Sequence, residues 1–550
     1  MKSYYLIGLF FAFSLSSFAL QAQDEIPRHW PQLDLAEDGI PGMSTDKAYR
    51  ELLAGKASQT VIVAVIDSGV DAEHEDLADI MWTNPGEIAG NGIDDDGNGY
   101  IDDIHGWNFI GGKDGKNINA ENLEVVRLYN KGKARFEGVD VSKLSKSAKK
   151  DYEQYLSYKE EIEKKRESLQ PQVDLYSGIL EKLEMIEKAT GKSTDEIMTE
   201  DVAKIAKKEG ELGETAGYIL GLIEQAGSFA AIYHDVKGAA DYYSDSYNYN
   251  WNPDFDARHI VGDNPADLND KNYGNNEIEG PDAGHGTHVA GIIGAIRNNE
   301  LGLDGVADNI RIMSVRTVPN GDERDKDVAN AIIYAVDNGA TVLNMSFGKG
   351  QSPYKKAVDD ALRYAVKHDV ILVHAAGNSG RENQFDNNYP NDKFLHKGLF
   401  RPKYAKTWIE VGAMSGHNDE KITANFSNWS ADKVDVFAPG VNIYSSVPDS
   451  KYDTYNGTSM ASPMVAGLAA LLRSYFPDLT AVQIKSIIMD SSVNPGYKVN
   501  IPGEDGQADL SELCITGGIV NTYTAVQLAI QTQGRKKKTA KRDISLTPRA

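Results

Sequence analysis

The chain has 550 residues, is 41% hydrophobic with 51 glycines and six tryptophans, and carries a formal net charge of −24. That length allows roughly two to four domains, and the apolar content is that of a globular protein with a substantial core. The acidic balance speaks against general nucleic-acid binding, favours solubility and is compatible with cation binding.

Lys2 precedes an apolar run, Tyr4–Phe13, and small residues follow at Ser17, Ala19 and Ala22. This is a signal-peptide pattern with cleavage expected after Ala22, so residues 1–22 are read as a signal and the protein as exported, either secreted or periplasmic. No later stretch is long and apolar enough to span a membrane. The single cysteine, Cys514, cannot form an intrachain disulfide, so an exported chain needs another source of stability.

Residues 24–56 contain turn formers at Pro41-Gly42 and a short helical pattern at Asp46–Leu53. Val61–Ile66 is an unbroken, β-branched run that suits a strand buried on both faces of a parallel sheet. It ends on Asp67, at the strand terminus where open α/β sheets gather function, although a lone Asp there reads first as a cap of the next turn. From Asn91 to Asp103, acidic and amide residues alternate around glycines. Asp94, Asp96, Asn98, the Tyr100 carbonyl and Asp102 follow an EF-hand-like calcium loop, but His105 stands where the closing bidentate Glu belongs. A second strand is expected over Ile104–Ile110.

Composition then changes. Ser147–Lys188 is rich in Lys, Glu, Leu and Tyr at helical spacing and is interrupted by Pro171. Val202–Lys207 and Tyr218–Tyr233 continue the helical signal, and Asp241–Trp251 is a Tyr/Asp/Asn cluster, read as packing at the base of an insertion or as substrate contact. Residues 113–250 are therefore expected to form a largely hairpin-like helical insertion in an α/β body. That body resumes at Gly284-His285-Gly-Thr-His288, a loop entering a buried helix. The two histidines lack the Glu and the four-residue spacing of a helical zinc motif. Strand patterns at Ile310–Val315, Ala340–Met345, Val370–His374 and Trp408–Val411 alternate with helical ones at Lys326–Asn338 and Tyr354–His368. That is βαβ periodicity, implying a mostly parallel sheet with right-handed crossovers.

Asn456–Gly467 reads as a tight turn opening into a buried helix, with Ser459 at its start and Pro463 in its first turn. Ser459 there is either an ordinary cap or a nucleophile among free N–H donors. Helices are expected at Val482–Met489 and Gly518–Ile530, and residues 535–550 form a basic tail.

Three motifs, Val65-Ile-Asp67-Ser-Gly, His285-Gly-Thr-His-Val-Ala-Gly and Gly457-Thr-Ser459-Met-Ala-Ser-Pro, together resemble the subtilisin-like serine proteases. They run in the Asp…His…Ser order that the triad takes in that family. The resemblance covers about residues 45–110 and 255–530. It implies a three-layer fold with a mostly parallel sheet, a peptidase domain over 23–534 interrupted by the insertion, and protein or peptide substrates. It further implies that Ser459 attacks the scissile carbonyl, His285 is general base and acid, and Asp67 orients the imidazole. Asn378, in His374-Ala-Ala-Gly-Asn378, matches the oxyanion residue. Ser346, Phe347 and Gly348, with Ala376 and Gly377, match segments that bind substrate. Asp76 and the loop Arg297-Asn-Asn299-Glu-Leu301-Gly-Leu303 match a calcium site, the ion held by side chains of Asp76 and Asn299 and carbonyls of Arg297, Leu301 and Leu303. His288 is carried over as a structural neighbour. Two departures stand out: only about thirty residues separate the expected cleavage point from the matched region, too few for the usual folding propeptide, and the insertion is expected to narrow or cap the cleft. An inactive, protease-like binding protein and a peptidyl transferase are the alternative functions.

Overall fold

The computed structural model describes residues 26–384, 388–395 and 402–535. The expected signal over 1–22, and all of the basic tail except Arg535, lie outside them. The central sheet has seven strands, β1 (Val61–Asp67), β2 (Gly106–Asn108), β3 (Ile310–Arg316), β4 (Val342–Met345), β5 (Ile371–Ala375), β6 (Trp408–Met414) and β7 (Val436–Pro439). Their order is β2-β3-β1-β4-β5-β6-β7, and every pairing is parallel. The strand order reverses at β1, which puts Asp67 at a topological switch point.

Because strand side chains alternate, β1 feeds two cores. Val61, Val63 and Val65 pack with the Gly284–Gly294 and Thr458–Tyr475 helices, while Ala64 and Ile66 pack with the Asp325–Asp337 and Lys355–Lys367 helices. Two helical layers thus enclose one sheet, the expected three-layer α/β fold. A hairpin of β8 (Ile443–Val447) and β9 (Lys451–Tyr455), absent from the sequence reading, precedes the Thr458–Tyr475 helix.

Several boundaries differ from expectation. The second strand shrinks to Gly106–Asn108, and the last helix begins at Thr522, because Ile519 bridges to Phe437 and Val493 instead of entering the helix. Pro171 does not interrupt its helix. Lys146–Thr190 is one helix of 45 residues, and the missing proline N–H costs one backbone hydrogen bond within a long cooperative run.

The insertion is helical and has its own small core, where Leu183 and Ile186 meet Ile205, Ile219 and Phe229. The tyrosine cluster is mostly packing: Tyr243 stacks on Tyr176, and Tyr249 meets Phe255. Near its root, the insertion is fastened by Asn108 and Asn275, which exchange backbone hydrogen bonds of 2.9 and 3.1 Å. It is also fastened by a buried charge cluster. Lys349 Nζ lies 3.0 Å from both Glu124 Oε2 and Asp325 Oδ1, and Arg127 donates to Glu124 Oε2 at 2.6 Å. Although burial opposes its ionisation, the Lys349 and Arg127 cations hold the Glu124 carboxyl down at about 2. Removing Lys349 would leave that carboxylate buried with half its compensation. Lys349→Ala should therefore cost about 3 kcal/mol in urea unfolding, far more than an exposed lysine truncation.

Candidate active site

β1 delivers Asp67 at its carboxyl end, where the side chain is 2% exposed. The Asp67 backbone carbonyl accepts from Thr317 N and Val318 N, which fixes the strand end. Its Oδ1 accepts from Ser68 N and faces His285 Nδ1, each at 2.7 Å. His285 stands in the first turn of the Gly284–Gly294 helix, with its side chain 38% exposed, so one ring nitrogen is committed to Asp67. Close approach is possible because Gly286 packs on the Gly69 carbonyl, where a Cβ would come within 2.0 Å. Burial alone would lower the imidazole pKa, but the Asp67 charge and hydrogen bond win and raise it above 6.5. His288, three residues on, takes other partners. Its Nε2 faces the Ile443 and Asp453 carbonyls, its ring stacks on Tyr455, and burial pushes its pKa down to about 3. The two imidazoles therefore serve separate networks.

Ser459 is half-buried in the first turn of the Thr458–Tyr475 helix. It does not cap that helix: Gly457 is the N-cap, and Ser459 Oγ donates to the Ser346 carbonyl at 3.1 Å. Among the described residues no hydrogen bond joins Ser459 Oγ to His285. Pro463 falls in the second turn instead of the first, and lacking an N–H it leaves the Ser459 carbonyl open. Ser346 Oγ donates to that carbonyl at 2.9 Å. Asn344 Nδ2 donates to Ser346 Oγ, and Ser462 Oγ donates to Asn344 Oδ1, so a buried polar chain locks the end of β4 to this helix.

Asn378 follows β5. Its Oδ1 accepts from both Thr458 N and Thr458 Oγ1 at 2.9 Å, which fixes the amide and leaves Nδ2 to donate elsewhere. Thr458 Oγ1 also accepts from Gly377 N. A Cβ at Gly457 would lie 3.3 Å from Asn378 Nδ2 and 3.5 Å from Ser459 N, so both donors border one small space. Thr458 was missed by the sequence reading. Its signal was adjacency to Ser459, which spacing alone does not turn into an orienting role.

Ser346, Phe347, Gly348, Gly377, Asn378 and Ser459 line one cleft of about 430 Å³. Ala376 does not line it; buried, it offers its carbonyl to Asn383, Asn388 and Asn428. Asp67 and His285 line a neighbouring depression of about 250 Å³ with Asn119, Asp282 and Asn320, and Ser346 borders both.

Asp76 is fully buried; its Oδ1 accepts from Asn299 Nδ2 at 2.7 Å, and its Oδ2 has no donor. Burial raises its pKa, which marks a carboxylate short of positive partners. The loop coils tightly through left-handed Asn298, Glu300 and Gly302, and a Cβ at Gly302 would come within 2.8 Å of Asp76 Oδ2. Arg297 turns its guanidinium to Gly305 O and Asp46, Leu301 N bonds to Asn299 Oδ1, and Leu303 is buried. Gln32, not anticipated, reaches the same loop: its Nε2 donates to Asp304 O while its buried Oε1 has no partner. Two donorless oxygens at one oxygen-rich loop fit a hard cation.

In the 94–102 loop the acidic and amide side chains hold the backbone turns. Asp94 accepts from Asn98 N and Gly99 N, Asn98 Oδ1 from Tyr100 N, and Asp102, at φ 53°, from Asn91 N and Gly92 N. The Tyr100 side chain is buried against Trp107 and Tyr334. The carboxylates that converge, within 4.8 Å of one another, are Glu87, Asp96 and Asp103. Glu87 comes from the segment before the loop, and Asp103 directly follows it.

The Subtilase family model matches residues 58–517. The chain is 39% identical over 223 residues to a thermophilic serine proteinase of Bacillus sp. (strain AK1), covering 40% of this chain and 49% of that protein. It is 39% identical over 217 residues to subtilisin DY of Bacillus licheniformis, covering 39% and 72%. It is 42% identical over 194 residues to thermitase of Thermoactinomyces vulgaris, covering 35% and 61%. The chain thus spans about half the length of the first relative and nearly two thirds of thermitase.

The Asp67–His285 contact makes a direct prediction. By NMR the His285 imidazole should titrate above 6.5. In Asp67→Asn it should fall below that value, because burial then acts unopposed.

Proposed function

Because the chain belongs to the subtilase family, we propose that it is an exported serine endopeptidase that hydrolyses protein or peptide bonds through an acyl-enzyme. The observation that carries this reading is the 2.7 Å Asp67–His285 contact at the edge of a cleft whose neighbouring wall holds Ser459 and the fixed Asn378 amide. A serine hydroxyl is a weak nucleophile until a base takes its proton, and a neutral imidazole is suited to that near pH 7. His285 withdraws the Ser459 proton and later returns it to the leaving amine. Asp67 keeps the imidazole in the right tautomer and stabilises its cation. The attack requires Ser459 Oγ to leave the Ser346 carbonyl for His285 Nε2. Charge developing on the substrate oxygen is met by Asn378 Nδ2 and Ser459 N–H, donors already oriented before the reaction. Ser346 to Gly348 offer backbone groups to an extended substrate, a mode that tolerates many sequences.

Calcium is the cofactor this reading assigns, in a structural role. Asp76, Asn299, Gln32 and the carbonyls of Arg297, Leu301 and Leu303 would hold one ion. The Glu87, Asp96 and Asp103 carboxylates would hold a second. The signal pattern over 1–22 supports export, and among the described residues no helix is long and apolar enough to cross a membrane.

Ser459→Ala should abolish peptide hydrolysis and labelling by a fluorophosphonate; labelling that persists at another residue refutes the assignment. A chelator should lower the melting temperature by several degrees, because an ion at a hundred times its Kd adds about 2.7 kcal/mol to stability. Asp76→Asn should lower it in the same direction and shrink the further effect of the chelator.

A further inference from the structure

The insertion does not stand clear of the cleft. Leu123, Val125, Glu161 and Trp251 line the same cavity as Ser459 and Asn378. At the insertion root, Arg127 donates to the Asp322 carbonyl at 3.0 Å and to the Glu323 carbonyl at 3.3 Å. Lys349 Nζ donates to the Glu323 carbonyl at 2.6 Å. Those two carbonyls, on a segment that borders the cleft at Asp322, are therefore already bonded.

Four charged side chains border the cavity: Glu161, Asp322, Lys349 and Arg381. Lys349 is buried and matched by Glu124 and Asp325. Arg381 is exposed and comes from the connection after β5. Asp322 Oδ2 accepts only the Glu124 N–H, at 2.7 Å. The helical neighbours Glu160 and Glu163 pair with Lys164 and Lys159, yet the Glu161 carboxylate has no ion pair or hydrogen bond among the described residues. Asp322 stands near the Arg127 and Lys349 cations, so Glu161 is the carboxylate on the insertion side that pairs with no cation among the described residues, and it lines the cavity together with the Trp251 indole, an aromatic group that attracts cations.

We propose that Glu161, with Trp251, selects substrates that place a cationic group in this cavity, and that the insertion is in this way a specificity element of the protease. The inference rests on the protease reading above. The cation is an ammonium or guanidinium, from a lysine or arginine side chain or from the peptide's own N-terminus.

The test uses the full chain and fluorogenic peptides in which one lysine or one norleucine is walked through the positions flanking the scissile bond, each with a free or an acetylated N-terminus. At one position lysine should be favoured over norleucine by about fivefold in kcat/KM, carried by KM, the range of a partly exposed ion pair. Glu161→Gln should erase that preference while leaving cleavage of the acetylated norleucine peptide unchanged, and Glu161→Lys should reverse it. A lysine preference that survives acetylation assigns the site to a side chain; faster cleavage of free than of acetylated peptides whichever residue is walked, lost in Glu161→Gln, assigns it to the N-terminus. Glu161 is exposed, so neither variant endangers the fold. A lysine or free-N-terminus preference unchanged in Glu161→Gln, or neither preference in the wild type, with Ser459 still labelled by a fluorophosphonate, overturns this inference alone. Absent labelling and absent cleavage of every peptide overturn the protease reading, and this inference with it.

Discussion

The hydrogen bond between Asp67 and His285 spans 218 residues of chain and sets what the rest of the structure must accomplish. A buried carboxylate with an orphaned second oxygen is costly unless its one strong partner is held in place. Holding it requires β1 to end where the Gly284–Gly294 helix begins, and requires everything inserted between them to leave and return at nearly the same point. The paired hydrogen bonds of Asn108 with Asn275, and Gly286 packed on the Gly69 carbonyl, satisfy that geometry.

The same economy of position recurs around Ser459. Its helix meets the ends of β4 and β5, and the chain of bonds from Ser462 through Asn344 and Ser346 joins helix to sheet without a charged group. Pro463 belongs to that chain, because it opens the carbonyl that Ser346 fills. Thr458 orients Asn378 by presenting two donors to one amide oxygen. A network of neutral, mutually satisfied groups is rigid, and rigidity is what a preorganised site for developing charge needs.

The insertion is attached by opposite means. Its root is charged and buried, with Glu124, Arg127 and Lys349 linking it to both segments beside the cleft, whereas its far end has a separate apolar core. A root of this kind fixes register more than it adds stability, since buried ion pairs lose much of their attraction to desolvation. It places Glu161 and Trp251 at the cleft, which a flexible attachment would not do.

The amino-acid sequence by itself determined the parallel α/β architecture, because unbroken apolar runs such as Val61–Ile66 alternate with helical patterns and can only be buried on two faces. It also determined the residue types at Asp67, His285, Asn378 and Ser459, since local motifs carry them. Tertiary structure alone decided which groups meet. The 94–102 loop reads as a calcium loop short of its closing ligand, and Glu87, from outside it, converges with Asp96 and Asp103. Ser459 reads as a cap or a nucleophile; it does not cap its helix, and the Ser346 carbonyl takes its hydroxyl. Pro171 reads as a break, but cooperative helix on both sides carries through it. Glu161 and Gln32 have no local signal at all. Spacing reports which face of an element a residue occupies, whereas the partner across a cleft is set by long-range packing that no local pattern encodes.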